Sequence, residues 1–389
     1  MRGLALVLSI VVCSGASAAG KSVAIDLHGR TIEANVVAHQ GNVCWLAEAD
    51  GGYTAIRIDS VRSFKRLPAP VRPVSTLELR ADLRREFGRE YDVQSAGRHI
   101  VVAERDLAGV CARRCDEVHR AFRSYFGRRA ITLKSSPYPL ATVVVRSQQE
   151  FQKRAALEGI TADSTLMGYY LRTSNRVLLF DPSRRLAGGD RATRSVRPPF
   201  EALPTRSVRT LWQPPVRSIA NADLDGTLVH ETVHQLAFNT GLHNRTGGNP
   251  QWVVEGLATM LEPDEVRKHV SSRDATERIN RDRMIWFMKK VRPSWRNGRL
   301  AQIVASDSRF QTAPLDAYAE AWSLTFFLAE TRSGHYAAYL RSLAERAELH
   351  EPTEEERLQQ FKAAFGVHLA NLEIRWLRFM SQMASEMTQ

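Results

Sequence analysis

Between Lys21 and Phe64 apolar and polar residues alternate in short runs. Ser22-Val23-Ala24-Ile25-Asp26-Leu27 and Thr31-Ile32-Glu33-Ala34-Asn35-Val36-Val37 flank a His28-Gly29-Arg30 turn, and period two with β-branched residues predicts strands there. Further strands are expected at 43–47 and 53–58, joined by Asp50-Gly51-Gly52, a hairpin signal. So many short strands in so little chain predict a small SH3-like all-β domain over residues 19–66. The proline-rich stretch 67–75 is expected to act as a semi-rigid linker that sets this unit apart.

Beyond the linker the period changes. Residues 77–87 are expected to be helical and 99–103 a strand; 107–126 carry Val110, Val118, Phe122 and Tyr125 at helical spacing. A second strand at 139–145 precedes a helix at 147–156. Met167-Gly168-Tyr169-Tyr170-Leu171 and Arg176-Val177-Leu178-Leu179-Phe180 flank Thr173-Ser174-Asn175 as a hairpin. From Leu224 onward the pattern is mainly helical. A small mixed sheet followed by a helical half, 76–389, is an α+β layout, and no internal repeat interrupts it.

Composition adds limits. Hydrophobic residues make up 43% and charged residues 25%, which excludes wholesale disorder. Arg2, the apolar run 4–12 and Ala16-Ser17-Ala18 stand in the order of a signal peptide, so residues 1–18 are expected to be removed on export to the periplasm or cell exterior. No later stretch is apolar for long enough to predict a transmembrane segment. The net charge of +12 falls by one with Arg2. Eight arginines against Asp190 and Glu201 mark 184–217 as a mobile basic insertion, suited to anionic envelope surfaces. No nucleic-acid-binding motif accompanies it, and a nucleic-acid partner is not expected. Cys44, Cys111 and Cys115 do not make a disulfide framework; Cys111 and Cys115, four apart on a helix, read as core thiols.

The chemistry concentrates in His230-Glu231-Thr232-Val233-His234. A helix brings residues four apart onto one face, so both imidazoles can reach one ion, while Glu231 projects beside it as a base. Pro250-Gln251-Trp252-Val253-Val254-Glu255 reads as the start of a second helix, with Glu255 placed 21 positions after His234. A loop through Gly241 to Gly248 allows the chain to return and bring that carboxylate to the ion. His230, His234 and Glu255 with an open fourth position predict one catalytic Zn2+. Two neutral imidazoles and one carboxylate leave the ion with a net positive charge, which acidifies water; Glu231 is then the general base and returns the proton to a leaving nitrogen.

This arrangement resembles the gluzincin clan of zinc metallopeptidases, and more narrowly a bacterial family of exported proteins with a peptidase MA-like domain. The resemblance runs from about Glu78 to Met380. It is carried by Glu78-Leu79-Arg80-Ala81, Arg85-Glu86-Phe87-Gly88, the 168–179 hairpin, His230 to Thr240, Trp252 to Ala258, and Tyr318-Ala319-Glu320-Ala321-Trp322-Ser323-Leu324. It implies a zincin-like catalytic domain, a polypeptide or peptide-bearing polymer as substrate, and Tyr318 as the oxyanion donor, with His243 a weaker candidate. Gly168 to Leu171 would be the sheet edge bordering the cleft. One position departs from the clan: an acidic residue often stands four after the ligand glutamate, and here it is Thr259, which leaves Glu262 or a backbone carbonyl to orient a histidine. The competing expectation is a zinc-bearing module that binds the envelope without catalysis.

Overall fold

The computed structural model describes residues 22–27, 30–162, 166–181 and 224–387; the expected signal peptide and basic insertion lie outside them. The N-terminal alternation forms five antiparallel strands: β1 (Ser22–Leu27), β2 (Arg30–Gln40), β3 (Val43–Ala47), β4 (Tyr53–Arg57) and β5 (Ser63–Arg66). They lie in the order β4-β3-β2-β1-β5. Val23, Ile25, Ile32, Ala34, Cys44, Leu46 and Ile56 fill the inner face. The β2–β3 register shifts between Val36 and Ala38, and one extra residue exchanges the faces. Val36 therefore points into this core, whereas Ala38 and Trp45 pack outward against Leu349 of the helical half. The linker runs without regular structure, tied by paired hydrogen bonds between the Asn35 amide and the Val71 backbone.

A capping box between Ser75 and Glu78 starts α1 (Thr76–Phe87). The second sheet comprises β6 (Asp92–Ala96), β7 (His99–Ala103), β8 (Leu140–Val145), β9 (Gly168–Leu171) and β10 (Arg176–Phe180), in the order β6-β7-β8-β10-β9. The three inner strands are parallel and both edges are antiparallel. Strand β6 escaped the sequence reading because Val93 is its one large apolar residue; pairing with β7 makes it a strand. Alternation sends Ile100, Val102, Val143, Tyr169 and Leu178 toward α1 and α3 (Gln148–Leu157). Val101, Val144, Tyr170, Val177 and Leu179 face the opposite side.

On that opposite side lie α2 (Arg105–Arg128) and α4 (Leu224–Asn239). The buried stripe of α2 is Ala108, Cys111, Ala112, Cys115, Val118 and Phe122, and its two cysteines are free thiols. Val110, expected on this face, is instead 53% exposed. It stands one residue, about 100° of helix, from Cys111, and the small residues define the seam. Beyond α4 the chain folds as helices: α5 (Gln251–Leu261), α6 (Pro314–Thr331), α7 (Ser333–Ala344), α8 (Glu354–Phe365) and α9 (Leu369–Met387) are the longer ones. Their shared core includes Trp252, Trp322, Tyr339 and Trp376. The architecture is thus mixed α+β, with an N-terminal β-rich region and a mostly helical C-terminal half. Among the described residues no helix is long and apolar enough to cross a membrane.

Helix α4 is sandwiched between sheet and helical half, and everything from Thr227 to Asn239 is buried. Helices α5 and α6 approach each other closely at Gly256, where an added Cβ would lie 2.2 Å from Thr325 Oγ1 and 2.5 Å from Ala321 O. Alanine in place of a mid-helix glycine ordinarily stabilises by about 1 kcal/mol. Here Gly256→Ala is expected to lower stability by about 1–3 kcal/mol through overpacking. Thermal unfolding checks the sign: a raised Tm would show that the two backbones are not in contact.

A candidate metal centre

The site is built on three buried helices. Along α4, His230, Glu231, His234, Gln235 and Asn239 form one polar stripe in an otherwise apolar surface. Such a stripe inside a core is costly unless every group finds a partner, and much of it does. Gln235 Nε2 donates to Ala141 O at 3.0 Å and to Asn175 O at 2.9 Å, pinning the helix to the sheet. Asn239 and Asn175 exchange amide hydrogen bonds of 2.7 and 3.2 Å, and the Tyr170 hydroxyl donates to Asn175 at 2.9 Å.

One turn nearer the N-terminus the polar side chains crowd one another. His230 Nε2 and His234 Nε2 face each other at 3.0 Å, and Glu255 Oε2 from α5 lies 3.2 and 3.5 Å from them. His230 and Glu255 are 1% exposed, so water does not relieve the crowding. With both Nε2 atoms unprotonated, two imidazole lone pairs and a carboxylate at such separations repel, and a cation between them reverses that. Donors about 2.0–2.1 Å from a tetrahedral ion are roughly 3.3 Å apart, close to the spacing seen. One donor atom from each of the three residues lies within 4.8 Å of the others, and the set can hold a metal ion. Burial raises the Glu255 carboxyl, but the His234 and His230 imidazoles outweigh it and hold the group below the usual carboxylate range. Glu255 Oε1 and His234 Nδ1 have no hydrogen-bond partner among the described residues.

The orientation of His230 is set from behind. Its Nδ1 meets Glu262 Oε1 at 2.6 Å, which leaves Nε2 as the lone-pair nitrogen facing Glu255. Thr259 cannot do this, because its hydroxyl donates back to Glu255 O within the helix at 2.6 Å. Glu262 lies just past the end of α5, where Asn280 Nδ2 reaches both Thr259 O at 3.0 Å and Glu262 Oε2 at 3.5 Å. Asn280 was not anticipated; nothing in its sequence neighbourhood marks it, since its value lies in where the chain returns.

Glu231 stands outside the donor group. Its Oε2 accepts a 2.8 Å hydrogen bond from the Tyr170 backbone N–H of edge strand β9. Tyr318, on α6, lies with its ring centroid 6.4 Å from that of His230 and packs edge-on against Phe310. The Arg283 guanidinium sits 5.4 Å from the same ring, a buried cation beside the centre that the sequence did not flag. His243 is buried against Phe238, with both ring nitrogens lacking partners among the described residues. Burial, then the neighbouring His234, pushes it down to about 3, so it is neutral near pH 7.

Residues 225–350 match a family described as a protein of unknown function, DUF1570. The matched stretch contains both histidines, Glu231, Glu255, Glu262, Asn280 and Tyr318. No curated protein matches the chain.

The hydrogen bond from His230 to Glu262 gives a test independent of any reaction. Glu262→Ala should weaken metal affinity about 10–100-fold, measured by chelator competition, whereas Thr259→Ala should leave it nearly unchanged. Equal affinities in both variants would show that Glu262 does not orient the ligand.

Proposed function

We propose that this chain is an exported zinc-dependent hydrolase of peptide bonds, of the gluzincin type. The observation that carries the reading is Glu231. It is a buried carboxylate one residue from a ligand, kept out of the donor group, and held by the amide of a sheet-edge strand. A structural metal site needs no such group; hydrolysis does. The nitrogen, nitrogen, oxygen donor set favours zinc over the harder oxygen-seeking cations. When bound, zinc supplies Lewis acidity toward water and a carbonyl oxygen.

The remaining work falls to the chain's own side chains. Glu231, anchored through Oε2, takes a proton at its other oxygen and passes it to the leaving nitrogen. Tyr318, fixed between His230 and Phe310, is the proposed donor to the developing oxyanion. Antiparallel edge strand β9 ends beside Glu231 and offers backbone groups to an extended peptide, which favours a polypeptide or a peptide-bearing polymer as substrate. That edge strand, the motif helix beside it and the glutamate on the next helix support a zincin-like domain. The strand order β4-β3-β2-β1-β5 supports an SH3-like form for the N-terminal unit.

Glu231→Gln should retain one zinc per chain while hydrolysis falls at least about 100-fold. His234→Ala should lose both metal and activity, and Tyr318→Phe should lower kcat about 10²-fold or more at unchanged zinc content. Metal analysis paired with a peptide-library digest checks all three. If Glu231→Gln cleaves at the wild-type rate with zinc bound, the mechanism is wrong. If the wild-type zinc protein cleaves nothing, a zinc-bearing envelope-binding module is the better reading.

A further inference from the structure

The edge strand that carries Glu231's anchor runs into the N-terminal sheet. Tyr170 N–H faces Glu231, so alternation turns Tyr169 and Leu171 toward their β10 partners Leu178 and Arg176. The backbone groups of Gly168, Tyr170 and Arg172 then face away from β10, the Tyr170 N–H toward Glu231. The side chains of Tyr169 and Tyr170 are buried on the two opposite sheet faces, so this edge is a separate direction.

At Arg172 the edge is closed. Arg172 O accepts from Arg245 Nη2 at 2.5 Å, and the next carbonyl, Thr173 O, accepts from Tyr53 N–H at 2.5 Å. Arg245 is itself held by the N-terminal unit: Nη2 also donates to Gly51 O at 2.8 Å, and the guanidinium lies 3.9 Å from the Tyr53 ring centroid. Gly51 has φ +90°, and a Cβ there would meet the Tyr138 ring at 2.7 Å and Asn175 Nδ2 at 2.8 Å. The β3–β4 hairpin is therefore seated directly on the β9–β10 turn. Leu349 packs on Trp45 and Ala38 while its N–H donates to Thr246 O, which fixes the Arg245 loop from the other side.

We propose that Arg245 and the β3–β4 hairpin are a stop on the substrate strand, so that the enzyme cleaves next to a peptide's N-terminus. This rests on reading the centre as a peptidase. The scissile carbonyl must lie near Glu231, hence opposite Tyr170, and two residues of strand, about 7 Å, separate Tyr170 from Arg172. Antiparallel addition, the more stable pairing, reverses the direction of β9, which runs from Gly168 to Leu171. The peptide's N-terminal residues then lie at the Arg172 end, with room for about two of them before the stop. The substrate class is a peptide with an accessible N-terminus, from which one or two residues are removed.

The test uses the full zinc-loaded chain and peptides that differ only in having one to five residues before a single cleavable bond. Mass spectrometry should find kcat/KM falling at least tenfold on adding the third residue. In Arg245→Ala, and separately in Tyr53→Leu, the ratio between short and long peptides should shrink below threefold. A variant that merely loosens the fold would depress all lengths alike and leave that ratio unchanged, an outcome that counts against the stop. Equal rates for all lengths in the wild type would overturn it. If nothing is cleaved, the same series is titrated calorimetrically into the Glu231→Gln zinc form. Affinity that drops beyond two residues keeps the stop and rejects the peptidase; uniform affinity or no binding rejects the stop.

Discussion

Two imidazole nitrogens 3.0 Å apart, with a carboxylate oxygen at 3.2 and 3.5 Å, form a buried cluster that a cation would hold together. Lone pairs and negative charge in a low-dielectric interior repel, and leaving them unpaired costs several kcal/mol per group. A cation reverses the sign of that interaction. The surrounding fold can be understood as the means of holding this arrangement: Gln235 ties α4 to the sheet, Gly256 lets α5 lie against α6, and Glu262 fixes the ring of His230. Remove the close approach of the helices and Glu255 has no reason to sit where two histidines already point.

The same logic explains why α4 is enclosed on all sides. An ordinary amphipathic helix turns its polar face to water; here the polar face is turned inward, and the hydrogen bonds of Gln235 and Asn239 offset part of its cost. Further along the core, Glu320 is 1% exposed yet meets Arg299 at 2.5 Å and Arg309 at 2.8 Å, three residues from Ser323, whose hydroxyl donates back to Glu320 O.

The N-terminal unit is joined to that centre through a short chain of contacts. The hairpin at Gly51 to Tyr53 touches Arg245 and Asn175, and Asn175 is hydrogen-bonded to Asn239 at the far end of the motif helix. A unit that the proline-rich linker sets apart in sequence thus packs against the rest of the chain in space. The linker sets the unit apart in sequence, while contacts at Trp45, Leu349 and Tyr53 join it to the rest of the chain.

By itself the sequence determined the elements and the donor set. Period two placed the strands from Ser22 to Arg57, the apolar spacing of residues 77–87 placed α1, and His230 and His234 four apart on a helix needed only local geometry to share a face. Local periodicity is legible because it depends on neighbours in the chain. It misread Val110 and overlooked β6, since the face a residue takes, or whether a weak segment is a strand at all, depends on what packs beside it. Tertiary structure alone decided that Glu262 and not Thr259 backs His230, that the amide of Tyr170 holds Glu231, and that Arg245 closes the edge of β9. Each of those contacts joins positions whose separation in sequence carries no periodic signal, and each exists only because elements distant in the chain pack side by side.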